Sequence, residues 1–61
     1  MCEFKIILNG EILFTDVVYA KSEDNKIIVK NVLGEAKEFK NCRIDEVNVN
    51  TTKLILKATK L

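Results

Sequence analysis

Histidine, proline and tryptophan are absent from this 61-residue chain, and glycine and cysteine each occur only twice. The absence of histidine removes the most common general base and the most common nitrogen ligand for metals. Two glycines are too few for a glycine-rich loop that binds phosphate. The acid pairs Glu23-Asp24 and Asp45-Glu46 are adjacent in sequence, so on a strand their carboxylates point to opposite faces. We therefore expect that the protein is not an enzyme.

The chain has no marked excess of charge of either sign. Ten Lys/Arg residues and nine Asp/Glu residues give a net charge of +1, whereas nucleic-acid-binding domains are usually clearly basic. Lys53, Lys57 and Lys60 do lie in a segment without acids. RNA binding is therefore kept as an alternative, because small β-barrels can present lysines and aromatic side chains to single strands. A structural or protein-interaction role is a further alternative.

Long apolar runs are also lacking. None approaches the ~20 residues that a membrane-spanning helix needs, and segments such as Ile6-Ile7-Leu8 have the length of a strand. The amino terminus does not show the basic region and apolar stretch of a signal peptide. We expect a cytoplasmic protein, with no membrane partner, in which Cys2 and Cys42 do not form a stable disulfide because that compartment is reducing.

Short apolar segments recur every 8–12 residues between polar ones, which is typical of an all-β sandwich or barrel. Asn9-Gly10 predicts a type I′ hairpin turn, and Thr15-Asp16 predicts a bulge or bend. We predict one domain over residues 1–61, a small barrel of about six short, mostly antiparallel strands. The predicted strands cover residues 2–8, 12–14 with 17–21, 26–33, 35–40, 44–50 and 53–59. The expected core consists of Phe4, Ile6, Leu8, Val18, Val29, Val47, Leu54 and Leu56.

Several predicted strands have apolar residues on both faces, such as Ile6 and Ile7 in the first and Leu54 and Ile55 in the last. Because a barrel has one interior, some of these side chains are either exposed or covered by a second copy. A chain this short buries only roughly 60% of its unfolded surface, and a twofold dimer would add burial. We therefore expect a homodimer, and the alternative is a monomer with scattered surface aliphatic residues.

Cys2 is the candidate metal ligand of this sequence. If Met1 is removed, the α-amine and thiolate of Cys2 can form a five-membered chelate ring with a metal ion. If Met1 stays, the nitrogen is that of a peptide amide, which is a poorer ligand. Two such pairs from a dimer would supply four ligands, suited to planar Ni(II) or Cu(II) or to tetrahedral Zn(II). The alternative is that Cys2 is a small apolar residue facing inward beside Phe4. Cys42 is interpreted as a filler near a turn.

Five segments together resemble the small CooT-type nickel-binding proteins, which are also described as predicted RNA-binding proteins. The segments are Met1-Cys2-Glu3, Asn9-Gly10-Glu11, Asp16-Val17-Val18, Val32-Leu33-Gly34-Glu35 and Ile44-Asp45-Glu46-Val47. The resemblance implies an SH3-like barrel that forms a homodimer, with Ni(II) held at the interface through Cys2 of each chain. It also implies a metallochaperone that supplies a nickel enzyme such as carbon monoxide dehydrogenase. Cys42-Arg43 replaces a glycine that is common before the last of these segments, which leaves the assignment of Cys2 unaffected.

Overall fold

The computed structural model describes residues 2–59, which form an all-β fold of six strands in agreement with the sequence prediction. The strands are β1 (Phe4–Leu8), β2 (Glu11–Glu23), β3 (Lys26–Asn31), β4 (Ala36–Lys40), β5 (Cys42–Asn48) and β6 (Lys53–Ala58). Across these 58 positions there is no helix, and thus no helical segment able to cross a bilayer. Met1 and Lys60, on which parts of the sequence analysis depend, lie outside the described residues.

All six strands belong to one sheet, in the order β4-β3-β2-β1-β6-β5. Four of the pairings are antiparallel, and β1 and β6 run parallel. The edge strands β4 and β5 are joined by the single residue Asn41, so the twisted sheet must curl until its two edges approach each other. Between residues 2 and 59 no ladder joins β4 to β5, and the domain is a barrel that stays open along this seam.

Two tight turns define the hairpins on either side of β2. Asn9 and Gly10 have φ values of 54° and 78°, as the predicted type I′ turn requires, and Leu8 pairs with Glu11 across the turn. Asp24 and Asn25 form a second such turn, with φ values of 45° and 62°. Asparagine and aspartate tolerate the left-handed region better than other residues with a side chain, so these turns form at little cost.

The core lies inside the curl of the sheet and agrees with the prediction at most positions. Ile6, Val29, Leu54 and Leu56 are buried as expected, and Phe4 and Leu8 pack against the core while partly exposed. The prediction was wrong for Val18 and Val47, which are 42% and 54% exposed. The core instead includes four residues that the prediction omitted, which are Val17, Ile27, Phe39 and Cys42.

A bulge in β2 explains why Val17 replaces Val18 in the core. Phe4 and Ile6 of β1 face Val17 and Phe14 of β2, so β2 has one extra residue in this interval. Asp16 within it has a φ of 58°. An extra residue reverses the alternation of side chains beyond it, which turns Val17 inward and Val18 outward. The bend predicted at Thr15-Asp16 is therefore present, but its effect on the alternation was not predicted.

Val47 has a different reason for its exposure. It pairs with the buried Leu54, so its side chain is on the interior face of the sheet. However, β5 is an edge strand and Val47 lies near its end, and within residues 2–59 no other strand pairs with the free edge of β5. An interior-facing residue at the mouth of the barrel stays open to solvent.

Asn41, the residue that joins β4 to β5, forms hydrogen bonds to two other parts of the chain. Its N–H donates to the Asn25 carbonyl at 2.8 Å, and its carbonyl accepts from the Thr59 N–H at 2.8 Å. Asn25 Nδ2 donates to Asn41 Oδ1 at 3.2 Å, and Thr59 Oγ1 donates to Asn25 Oδ1 at 2.7 Å. The β2–β3 turn, the β4–β5 corner and the end of β6 are thereby tied together.

We predict that Asn41→Ala destabilises the fold by about 1–3 kcal/mol, because alanine loses the side-chain hydrogen bond and strains at a φ of 57°. Asn41→Gly should cost less, since glycine adopts this φ without strain. Urea unfolding followed by circular dichroism measures both changes. The matched control is Asn50→Ala, at an exposed turn position without a positive φ. If Asn41→Ala and Asn50→Ala lowered the free energy of unfolding equally, the role given to Asn41 would be contradicted.

Candidate metal centre and interface

The two cysteines lie in opposite environments. Cys2 is exposed just before β1, whereas Cys42 is 5% exposed in the core, where its Sγ donates to the Lys40 carbonyl at 3.4 Å. Both are free thiols. The exposure of Cys2 does not fit the alternative that it faces inward as a core residue. Cys42 packs in the core as expected for a filler.

The start of β1 holds Cys2 at a defined end of the sheet. The Lys5 N–H donates to the Thr52 carbonyl at 2.9 Å, and from Lys5 onward β1 runs parallel to β6 with Lys53 as the first partner. This bond lies three residues after Cys2. Cys2 is therefore three residues along the chain from a point fixed to the β5–β6 connection, and its thiol is open to solvent.

An apolar groove of about 230 Å³ begins two residues after Cys2. We define the apolar groove by its eight lining residues: Phe4, Val17, Val18, Tyr19, Ala20, Ile44, Val47 and Leu54. None of the eight is an Asp, Glu, Lys or Arg residue, and the Tyr19 hydroxyl is the polar side-chain group among them. Val18, Tyr19 and Val47 are each more than 40% exposed, so the groove presents substantial apolar surface to solvent.

A further irregularity of β2 lies within this groove. Val17 faces Asn31 and Tyr19 faces Lys30 of β3, so one residue of β2, Val18, is extra in this interval. Bulges increase local twist and redirect side chains, which accounts for four consecutive residues of β2 lining the same groove. Sequence reasoning did not identify the groove. The sequence feature that indicates the groove is the segment Val17 to Ala20, which is apolar on both faces of the strand.

The donor atoms near the amino terminus fit a thiophilic metal. The Cys2 thiolate is a soft ligand suited to Ni(II), Cu or Zn(II), and its own backbone nitrogen can complete a chelate ring. Among residues 2–59 there is no group of three or more His, Cys, Asp or Glu side chains placed to hold a metal ion. Four-coordination by this set of donors therefore requires a second copy of the chain or ligands from solution.

Comparison with known proteins identifies the family of the chain. Residues 1–57 match the family model described as CO dehydrogenase accessory protein CooT. An uncharacterized protein of Methanocaldococcus jannaschii is 29% identical over 56 residues, which span 92% of this chain and 96% of the relative. The matched family is one of accessory proteins, not of catalysts, in agreement with the prediction that the protein is not an enzyme. With nearly its whole length matched, the chain belongs to the family of the CO dehydrogenase accessory protein CooT.

Proposed function

We propose that this protein is a nickel carrier that binds Ni(II) through Cys2 of two chains at a homodimer interface. The observation that supports it is the exposed Cys2 thiol, two residues before Phe4 of an uncharged apolar groove. Membership of a family of CO dehydrogenase accessory proteins is consistent with a metal-related role, since carbon monoxide dehydrogenase is a nickel enzyme. The metal is cargo, to be passed to a nickel-enzyme client.

A second copy is the proposed occupant of the apolar groove. Burial of a contiguous apolar surface is favourable. In a twofold dimer the same surface of each chain faces its copy, and because the groove is lined by uncharged residues, no like charges meet. Phe4 lines the groove and Cys2 precedes it by only two residues, so an axis passing near this end of the groove would bring both Cys2 thiols close together. The interface and the metal site would then be continuous.

Each chain would contribute the Cys2 thiolate and one nitrogen, either the α-amine or a backbone amide according to whether Met1 is removed. Two thiolates and two nitrogens suit planar Ni(II), and tetrahedral Zn(II) is the main competitor. Because the thiolate is the form that binds, protons compete with the metal and affinity falls as the pH is lowered. We place the carrier in the cytoplasm as a single domain over residues 1–61, where reducing conditions keep Cys2 available.

We predict that Ni(II) titration saturates at one metal per two chains and that Cys2→Ser abolishes binding. Serine replaces a soft thiolate with a poor ligand at an exposed position, so the fold should be unaffected. The measurement is isothermal titration calorimetry with absorbance spectra, on protein whose amino terminus has been defined by mass spectrometry. Cys42→Ser is the control and should keep the stoichiometry, because Cys42 is buried. One metal per chain, or equal loss in both variants, would refute the shared site.

A charge placed in the apolar groove should separate the dimer. We predict that Val47→Glu weakens dimerisation at least about thirtyfold, because an unpaired carboxylate would be buried at the interface. Val47 is 54% exposed in the single chain, so the fold should tolerate the change. Sedimentation equilibrium measures the dissociation constant. Val32→Glu, at a residue 47% exposed and outside the groove, is the matched control, and equal effects of the two variants would exclude the groove as the interface.

A further inference from the structure

The face of β1 opposite the apolar groove has a row of three isoleucines. Ile7 of β1 pairs in register with Ile12 of β2 on one side and with Ile55 of β6 on the other. Residues paired in register point to the same face of a sheet, and on β1 that face is opposite the buried Ile6. Ile12 is 57% exposed, and the other two are half-buried. The row is therefore an aliphatic surface on the outside of the barrel.

Four cations flank this row. Lys5 pairs in register with Lys53 towards one end of the strands, and Arg43 pairs with Lys57 towards the other. We define the cationic face as the isoleucine row with these four residues. Like charges directly opposite each other on neighbouring strands are unfavourable, and the fold contains two such pairs on one face. Glu46 lies opposite Ile55 and Glu3 precedes Lys5, so cations outnumber acids here.

These cations differ from those on β3 and β4. Lys26 Nζ donates a hydrogen bond to Glu38 Oε2 at 2.8 Å in a salt bridge. This interaction raises the pKa of Lys26 and lowers the pKa of Glu38. Lys30 lies over the Tyr19 ring, and Lys37 lies within 6 Å of the Phe14 and Phe39 ring centroids. Within the described chain, the four flanking cations form neither an ion pair nor a cation–π contact.

We propose that the cationic face docks an acidic protein surface, in which exposed aliphatic side chains are surrounded by Asp and Glu. Such a partner would bury the isoleucine row and neutralise the paired cations, relieving the repulsion that the free face retains. A second copy fits poorly, because it would place four cations against four cations. Single-stranded RNA also fits poorly, since base stacking needs aromatic platforms and the centre of this face is aliphatic.

The aromatic residues of the chain lie elsewhere, which strengthens the distinction from RNA binding. Phe4 and Tyr19 line the apolar groove, and Phe14 and Phe39 flank Lys37. Because successive side chains of β1 point to opposite faces, the groove and the cationic face can be occupied at the same time. Docking on this face does not depend on metal binding, and Cys2→Ser is expected to leave it unchanged.

The test uses a fluorescein-labelled 15-residue peptide with a leucine-rich centre flanked by aspartate and glutamate. Its binding to the full chain is measured by fluorescence anisotropy. We expect that the double variant Lys53→Gln, Lys57→Gln weakens binding about fivefold to tenfold. The matched control, Lys30→Gln with Lys37→Gln, removes the same charge from the other cation cluster and should change binding less than twofold. Ile12→Ser should weaken binding several-fold, since it removes exposed aliphatic surface from the row.

Five outcomes would overturn the proposal. The first is no binding of the peptide at 50 mM salt, and the second is an equal loss in both double variants, which would indicate non-specific attraction. The third is tighter binding of a fluorescein-labelled oligouridine in a manner that depends on Lys53 and Lys57. The fourth is a change of oligomeric state in Ile12→Ser during sedimentation, which would assign the row to a second copy. Loss of peptide binding in Cys2→Ser would also contradict it, whereas failure of nickel binding alone would not.

Discussion

The central position of β1 in the sheet is the constraint on which the rest of the structure depends. β1 pairs with β2 on one side and β6 on the other, and its side chains alternate between two faces that both contain apolar residues. Ile6 is fully buried and Phe4 lines the apolar groove, while Lys5 and Ile7 belong to the cationic face. A slip of one residue would exchange the two faces and bring Lys5 into the core. One register therefore determines both candidate surfaces.

That register is secured at the two ends of β1 by different means. The Asn9-Gly10 turn sets the pairing with β2 locally, since its two left-handed residues allow a connection of minimal length. The pairing with β6 has no such local determinant, because Lys5 and Lys53 are 48 positions apart. The hydrogen bond from Lys5 to Thr52 and the inward packing of Ile6, Leu54 and Leu56 hold it instead. The position of Cys2 thus depends on a pairing between the two strands that are furthest apart in the sequence.

The elements that the sequence predicted well are those determined by local chemistry. Alternating apolar residues and turn-forming Asn-Gly pairs depend only on near neighbours, so the number of strands and the hairpin at Asn9-Gly10 could be predicted. The assignment of Val18 and Val47 to the core could not succeed. Val18 faces outward because Asp16 adopts a left-handed conformation within a bulge, and Val47 is exposed because β5 is an edge strand. Bulge position and strand order are properties of the whole sheet.

The candidate site shows the same division between local and distant determinants. Cys2 could be selected as the candidate ligand from the sequence because a cysteine thiolate and its own backbone nitrogen can form a chelate ring without help from distant residues. The apolar groove could not, since Phe4, Tyr19, Val47 and Leu54 come together from four strands. The isoleucine row was visible as apolar residues on the second face of two strands. Its alignment across β2, β1 and β6 required the register, including the parallel pairing, which no local pattern specifies.

If two chains share the metal site as proposed, nickel binding and dimerisation are thermodynamically coupled. A metal whose ligands come equally from two chains binds the dimer and not the monomer, so nickel strengthens the dimer and dimerisation strengthens nickel binding by the same factor. An exposed thiolate at such an interface can exchange ligands with a client without unfolding of the barrel. A partner docked on the cationic face need not displace the second chain, because that face lies opposite the apolar groove on β1. The small size of the barrel is then an advantage, because few residues separate the two surfaces.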